Sequence, residues 1–200
     1  MLMNVLDQLL DACLQFGRQP PEQQPRSAYD LAEPVYQLLQ ELHEQYLENF
    51  KAYRAALSAP GAFSAKAEAL CARLSTDHRF SADQEAKVIL VMEVLRQQVT
   101  SYVREETLIG FVTGICAYLS RAFTEIRGTQ YSGGTLRVTS PVFRNSLTGR
   151  LRRLTAEAAL SEAGKHAAGA QVLDSIGAEL ESGFAAVTKS YLALGAEMTG

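Results

Sequence analysis

Apolar residues recur every three or four positions along most of this 200-residue chain. The clearest run lies near the C terminus and consists of Leu173, Ile176, Leu180, Phe184, Val187, Tyr191, Leu194 and Met198. This spacing is that of an α-helix with one apolar face, because 3.6 residues make one turn. We therefore predict an all-α fold, an elongated helical bundle of five to seven helices.

One helical stretch constrains the centre of the bundle. It is predicted to begin at the capping-box pattern Ser81–Gln84 and to run to about Arg127, and its residues 108–119 are apolar on nearly all sides. A continuous helix of this length would be about 70 Å long. The sequence leaves open whether the helix is continuous or breaks near Glu105–Gly110. No apolar run approaches ~20 residues, so no membrane span is predicted.

The distribution of proline and glycine predicts the domain organisation. Residues 1–17 form an N-terminal helix or arm, and residues 18–33 form a linker rich in proline and glutamine. Residues 34–200 form the helical bundle domain, in which Pro34 occupies the first position of a helix. Within it, residues 128–146 are predicted as an irregular insertion or short hairpin. A helix from about Leu147 to Ala163 should then end at Gly164.

The cysteines and the N terminus indicate the cellular compartment. The first residues carry no basic stretch, and Asp7 and Asp11 interrupt their apolar pattern, unlike a signal peptide. Cys13, Cys71 and Cys116 are odd in number and far apart, which predicts reduced thiols in a cytoplasmic protein. The scattered histidines and the absence of catalytic or nucleotide-binding motifs predict no metal, no cofactor and no enzymatic activity.

Charge is distributed very unevenly along the chain. Residues 121–153 contain seven arginines, no lysine and one acid, Glu125, so this segment has a net charge of +6. The rest of the chain has 12 basic and 21 acidic residues, a net charge of −9. The arginines are Arg121, Arg127, Arg137, Arg144, Arg150, Arg152 and Arg153.

The arginine-rich segment predicts a binding function. Guanidinium groups bind phosphates bidentately, and Tyr131 and Phe143 in the same segment are residue types that stack on bases. We expect a non-enzymatic subunit of a larger assembly that binds nucleic acid or another polyanion through these nine residues. The alternative is a helical adaptor or scaffold that binds an acidic protein partner through the same arginines. The heptad-like last helix also favours a protein partner or a homo-oligomer.

A third hypothesis comes from Arg73 and His78, which are separated by four residues. This spacing resembles the RxxxxH element of HEPN-type ribonucleases, a family of small all-helical dimers. The resemblance implies a histidine general base and an arginine that stabilises the phosphate in the transition state. It covers six residues, and Leu74 stands where that family usually carries a polar residue.

Overall fold

In its described residues the protein is all-α, with one short hairpin, as predicted. A computed structural model describes residues 5–18, 28–78, 82–101 and 106–196. Within these ranges the helices are α1 (Val5–Arg18), α2 (Ala28–Ser58), α3 (Phe63–Asp77), α4 (Ala82–Ser101), α5 (Glu106–Ala122), α6 (Ser140–Asn145), α7 (Leu147–Ala156) and α8 (Glu162–Ala196). A π-helical turn (Phe123–Arg127) follows α5, and the strands are β1 (Thr129–Ser132) and β2 (Thr135–Val138).

The predicted insertion is a hairpin followed by a short helix. Strands β1 and β2 pair antiparallel, and Gly133 and Gly134 between them have φ values of +56° and +77°. Positive φ at both central residues is typical of the tight turns that join two-stranded hairpins. Eight α-helices lie in the described ranges, one more than the upper limit of the expected five to seven, since α6 forms within the predicted insertion. Pro141 is compatible with α6 because it lies in the first turn, where a missing N–H costs nothing.

Helix α2 begins at Ala28, six residues before the predicted start at Pro34. Pro34 lies inside the helix, where it cannot donate the usual backbone hydrogen bond. Packing before the proline compensates, since Ala32 is buried and the ring of Tyr29 stacks on that of Tyr191 at 5.0 Å. The predicted linker therefore extends six residues too far at its C-terminal end, and its first residue, Arg18, belongs to α1. Residues 19–27 lie outside the described part of the chain.

The boundary between α7 and α8 also differs from the prediction. Helix α7 ends at Ala156, and α8 already begins at Glu162, so Gly164 lies inside a helix instead of ending one. The side chain of Ser161 explains the early start, because its hydroxyl accepts a hydrogen bond from the Gly164 N–H at 3.2 Å. A serine in this position satisfies a backbone donor that would otherwise be free at the helix N terminus.

Ser81 and residues 102–105 of the predicted long helix lie outside the described residues. The segment Glu106–Arg127 is the single helix among the described residues that is long and apolar enough to cross a membrane, with a mean hydropathy of 1.3. Half of its apolar stretch is buried inside the protein. Core helices of soluble proteins can be equally long and apolar. The absence of a membrane span stays a prediction.

The chain divides into two compact units. The first comprises the described parts of Met1–Glu44, Ala86–Leu119 and Ser182–Gly200. Its core is made by Val5, Leu9, Ala32, Val35, Leu39, Leu42, Val88, Val91, Met92, Leu95, Leu108, Phe111, Val112, Ile115, Tyr118, Leu119, Val187, Tyr191 and Leu194. A buried histidine joins this core, because His43 Nδ1 lies 2.8 Å from the Tyr118 hydroxyl and its ring stacks on Phe184 at 4.3 Å.

The second unit comprises the described parts of Gln45–Glu85 and Ser120–Glu181. Its core is made by Tyr46, Phe50, Tyr53, Leu57, Phe63, Ala67, Leu70, Leu74, Ala122, Phe123, Ile126, Leu147, Leu151, Val172, Leu173, Ile176 and Leu180. Helix α3 packs on α7, and the Phe63 N–H at the start of α3 donates to Glu162 Oε2 at 2.9 Å. All seven arginines of the basic segment belong to this unit.

Candidate functional site

Residues 123–156 form a tightly packed substructure, here called the arginine module, made of the π-helical turn, the hairpin, α6 and α7. Two glycines make its close packing possible. A Cβ atom at Gly149 would overlap the carbonyl oxygen of Phe143, and one at Gly128 would lie 2.7 Å from the Phe143 Cα. Ser146 joins α6 to α7, because its hydroxyl donates to the Phe143 carbonyl at 2.7 Å and accepts from the Gly149 N–H at 3.2 Å.

Two of the seven predicted arginines are bound to carboxylates of their own unit. Arg121 Nη1 lies 3.1 Å from Glu179 Oε2, and Arg127 forms an ion pair with Glu85. Burial raises the pKa of Glu85, and Arg127 opposes that rise. Since their charges are matched within the chain, Arg121 and Arg127 add little to an outward-facing positive potential.

Arg150 is half-buried and lies within the electrostatic reach of Glu125. Burial raises the pKa of the Glu125 carboxyl and Glu179 raises it further, whereas Arg121 and Arg150 lower it. This mixed group of acids and bases is contributed by α5, the π-helical turn, α7 and α8. The positive charge of Arg150 is therefore partly balanced by Glu125, which belongs to the same module.

The remaining four arginines are exposed and form no ion pair with a carboxylate in the described part of the chain: Arg137, Arg144, Arg152 and Arg153. Arg144 Nη2 donates to the Ser140 hydroxyl at 2.9 Å within α6. The guanidinium carbon of Arg152 lies 5.7 Å from the centroid of the Phe143 ring. These four side chains, carried by β2, α6 and α7, are the outward-facing cations of the module.

The two predicted stacking residues are only partly accessible. Phe143 is half-buried, since Gly128 packs against it and Arg152 lies over its ring. Tyr131 is half-buried on β1, directly opposite Leu136 of β2. The structure thus places both aromatic rings in the arginine module, but Phe143 already serves the packing of that module.

The hairpin presents a polar face that the sequence alone did not single out. Gln130 lies directly opposite Arg137, and Ser132 lies directly opposite Thr135. All four side chains are exposed. Because successive residues of a strand point to opposite faces, these two cross-strand pairs share one face. The signal that could have revealed this face was the pair of glycines, which sets the register of the hairpin.

A groove of about 570 Å³ lies between α3 and α7. Its lining combines small and polar side chains: Ser64, Ala67, Glu68, Cys71, Ala72, Arg152 and Thr155. Burial raises the pKa of the Cys71 thiol, and the guanidinium of Arg152 acts in the opposite direction. Arg152 thus lies over the Phe143 ring and also interacts with the Cys71 thiol in the groove.

No protein-family model matches the chain. Comparisons with curated proteins and with solved structures give no match either.

The residues that resemble the ribonuclease element do not form an open site. The His78 side chain is 1% exposed, with its ring 4.6 Å from that of Tyr46. Burial lowers the pKa of His78 to about 4. Arg73 Nη2 binds Asp77 Oδ2 at 3.0 Å, and Tyr53 donates to the same oxygen at 2.8 Å. A general base must reach its substrate, so this burial disfavours the ribonuclease hypothesis.

Proposed function

We propose that the chain is a non-enzymatic subunit that binds nucleic acid through the arginine module. The observation that carries the proposal is the group of exposed arginines without a carboxylate partner among the described residues: Arg137, Arg144, Arg152 and Arg153. They project from a chain whose residues outside 121–153 carry a net charge of −9. A local cation cluster on an acidic protein orients a polyanion toward one face.

The chemistry of arginine supports a phosphate ligand. A guanidinium group presents paired N–H donors in a plane, which match two oxygens of one phosphate. Each phosphate that is neutralised releases condensed counterions, so the affinity arises largely from entropy and falls steeply with salt. Arg144, Arg152 and Arg153, carried by α6 and α7, supply phosphate contacts that need no particular base sequence.

A second candidate is an acidic protein partner, in an adaptor or scaffold role. It is favoured by Arg121 and Arg127, which already bind the carboxylates of Glu179 and Glu85. The exposed arginines have the same chemistry and would accept carboxylates from another chain. In either role we propose a cytoplasmic protein within a larger assembly.

The test is a binding measurement with fluorescently labelled mixed-sequence DNA and RNA at low salt. We compare the wild type with the charge reversal Arg144→Glu/Arg153→Glu, which changes two exposed side chains. The matched control is Lys51→Glu/Lys189→Glu, which changes the net charge equally at exposed positions of α2 and α8. Arg152 is left unchanged because it packs on Phe143.

We expect the charge reversal at the arginine module to weaken binding by at least about tenfold, since two phosphate contacts become repulsive. The control should change binding by less than about threefold, because its charges lie outside the module. Equal affinity of the wild type and Arg144→Glu/Arg153→Glu would refute the nucleic-acid proposal. Co-purification of a protein that is lost with the same charge reversal, without nucleic-acid binding, would establish the adaptor role instead.

A further inference from the structure

We infer that the β1–β2 hairpin enters the major groove of double-stranded DNA, with Gln130 and Arg137 contacting base edges. This inference rests on the proposed function and adds to it a ligand class and two residues that determine sequence preference. It comes from the polar face of the hairpin, which is separate from the arginines of α6 and α7 that contact phosphates in the proposal above.

The hairpin face carries the side-chain types that read or position DNA. Gln130 and Arg137 form one directly opposed pair and Ser132 and Thr135 form the next, and all four are exposed. Arginine binds O6 and N7 of guanine bidentately, and glutamine binds N6 and N7 of adenine. Neither the Gln130 amide nor the Arg137 guanidinium is engaged in a hydrogen bond or ion pair with the described chain, so both groups remain available to a ligand.

The dimensions of the hairpin fit the groove. Two paired strands lie about 4.8 Å apart, and four residues of a strand extend about 13 Å. The major groove of B-form DNA is about 12 Å wide and admits a two-stranded ribbon. The tip adds no bulk, because Gly133 and Gly134 lack side chains and a Cβ atom at Gly133 would meet nothing within 4 Å. The major groove of A-form RNA is deep and narrow, which excludes such a ribbon.

The base of the hairpin is fixed while its tip is open. Thr124 Oγ1 donates to the Thr129 carbonyl at 3.3 Å, and the Thr129 side chain is buried. Gly128, just before β1, packs against Phe143 of α6. Strand β1 thus contacts the π-helical turn and α6, whereas the four residues of the polar face are all exposed. A ribbon held at one end in this way presents Gln130 and Arg137 in a defined register.

The test is selection from a library of duplex DNA with a randomised core, using the full chain. The wild type should enrich a short motif that contains guanine, and Arg137→Ala should lose that guanine preference. On the selected duplex Arg137→Ala should bind about tenfold more weakly, and on a scrambled duplex the loss should stay below about threefold. Gln130→Ala should relax the preference at an adjacent base pair. Arg153→Gln is the matched control, because a phosphate contact weakens both duplexes equally and preserves their ratio.

The outcomes separate this inference from the proposed function. Salt-sensitive binding with equal affinity for duplex DNA, single strands and RNA would uphold nucleic-acid binding and overturn the major-groove inference. If Arg137→Ala loses the same factor of affinity for the selected and the scrambled duplex, the major-groove inference is overturned as well. If the wild type binds no nucleic acid, the proposed function itself fails. Circular dichroism and thermal unfolding of each variant confirm that the hairpin changes leave the helical fold intact.

Discussion

Arg152 of α7 lies over the ring of Phe143 of α6, with its guanidinium carbon 5.7 Å from the ring centroid. This contact joins the two helices that carry three of the exposed arginines. The negative π-face of the ring attracts the guanidinium cation, which has no carboxylate partner among the described residues. Arg152 thus stabilises the module and contributes to its positive potential.

This contact predicts a measurable coupling between the two residues. In a double-mutant cycle of Arg152→Gln and Phe143→Leu, the coupling free energy should be about 0.5–1 kcal/mol, the range for a cation–π pair at a surface. Urea denaturation of the four proteins provides the free energies of unfolding. Strict additivity of the two substitutions would contradict the contact.

Gly149→Ala should destabilise the protein strongly. A Cβ atom at this position would overlap the carbonyl oxygen of Phe143, which is backbone and cannot rotate away. Helix α7 would have to move away from α6, and we expect a loss of about 3 kcal/mol, the upper end of the usual range for overpacking. Thermal and chemical denaturation measure this loss.

Gly110→Ala is the matched control, because Gly110 lies on an exposed position of α5 and a Cβ atom there would meet nothing within 4 Å. Alanine restricts the unfolded chain and favours helix, so this substitution should stabilise the protein by about 0.5–1 kcal/mol. A wild-type stability for Gly149→Ala would show that α6 and α7 are not in the close contact described above.

The buried His78 predicts a dependence of stability on pH. Its pKa of about 4 in the folded protein lies below the value of about 6.5 in an unfolded chain. Between these values the unfolded chain binds more protons, so the free energy of unfolding decreases as the pH falls from about 6.5 to about 4. Above about pH 6.5 the contribution of His78 is constant.

The measurement compares the wild type with His78→Phe, which keeps an aromatic ring among Tyr46, Phe50 and Tyr53. Glu85 and Glu125 have raised pKa values and act in the opposite direction, but they are present in both proteins. The difference in the free energy of unfolding between the wild type and His78→Phe should therefore change by about 3 kcal/mol between about pH 6.5 and about pH 4. Parallel curves would mean that His78 is accessible to protons in the folded state.

The fold class could be predicted because helical periodicity is a local property of the sequence. The helix boundaries that differ from the prediction are set by contacts of particular side chains. Helix α2 extends before Pro34 because Tyr29 stacks on Tyr191, a residue far along the chain. Helix α8 begins early because Ser161 caps it, a local signal that the nearby Gly164 obscured.

The candidate site could be predicted only in part. The cluster of arginines is visible in the sequence as a charge asymmetry, but the partners of individual arginines are not. Arg121 meets Glu179, 58 residues away, through packing that no local pattern encodes. The same holds for Arg127 and Glu85. The burial of His78 likewise depends on aromatic rings contributed by another helix.

The most direct test of the central claim is the salt dependence of DNA binding by the wild type and by Arg144→Gln/Arg153→Gln. For a mixed-sequence duplex, the logarithm of the association constant should fall linearly with the logarithm of the salt concentration. Phosphate contacts by Arg144, Arg152 and Arg153 predict a slope of about −2.7 for the wild type, and the loss of two contacts should reduce its magnitude by about 1.8. Identical slopes for the two proteins, or wild-type binding that does not respond to salt, would contradict the assignment of these arginines to a nucleic-acid site.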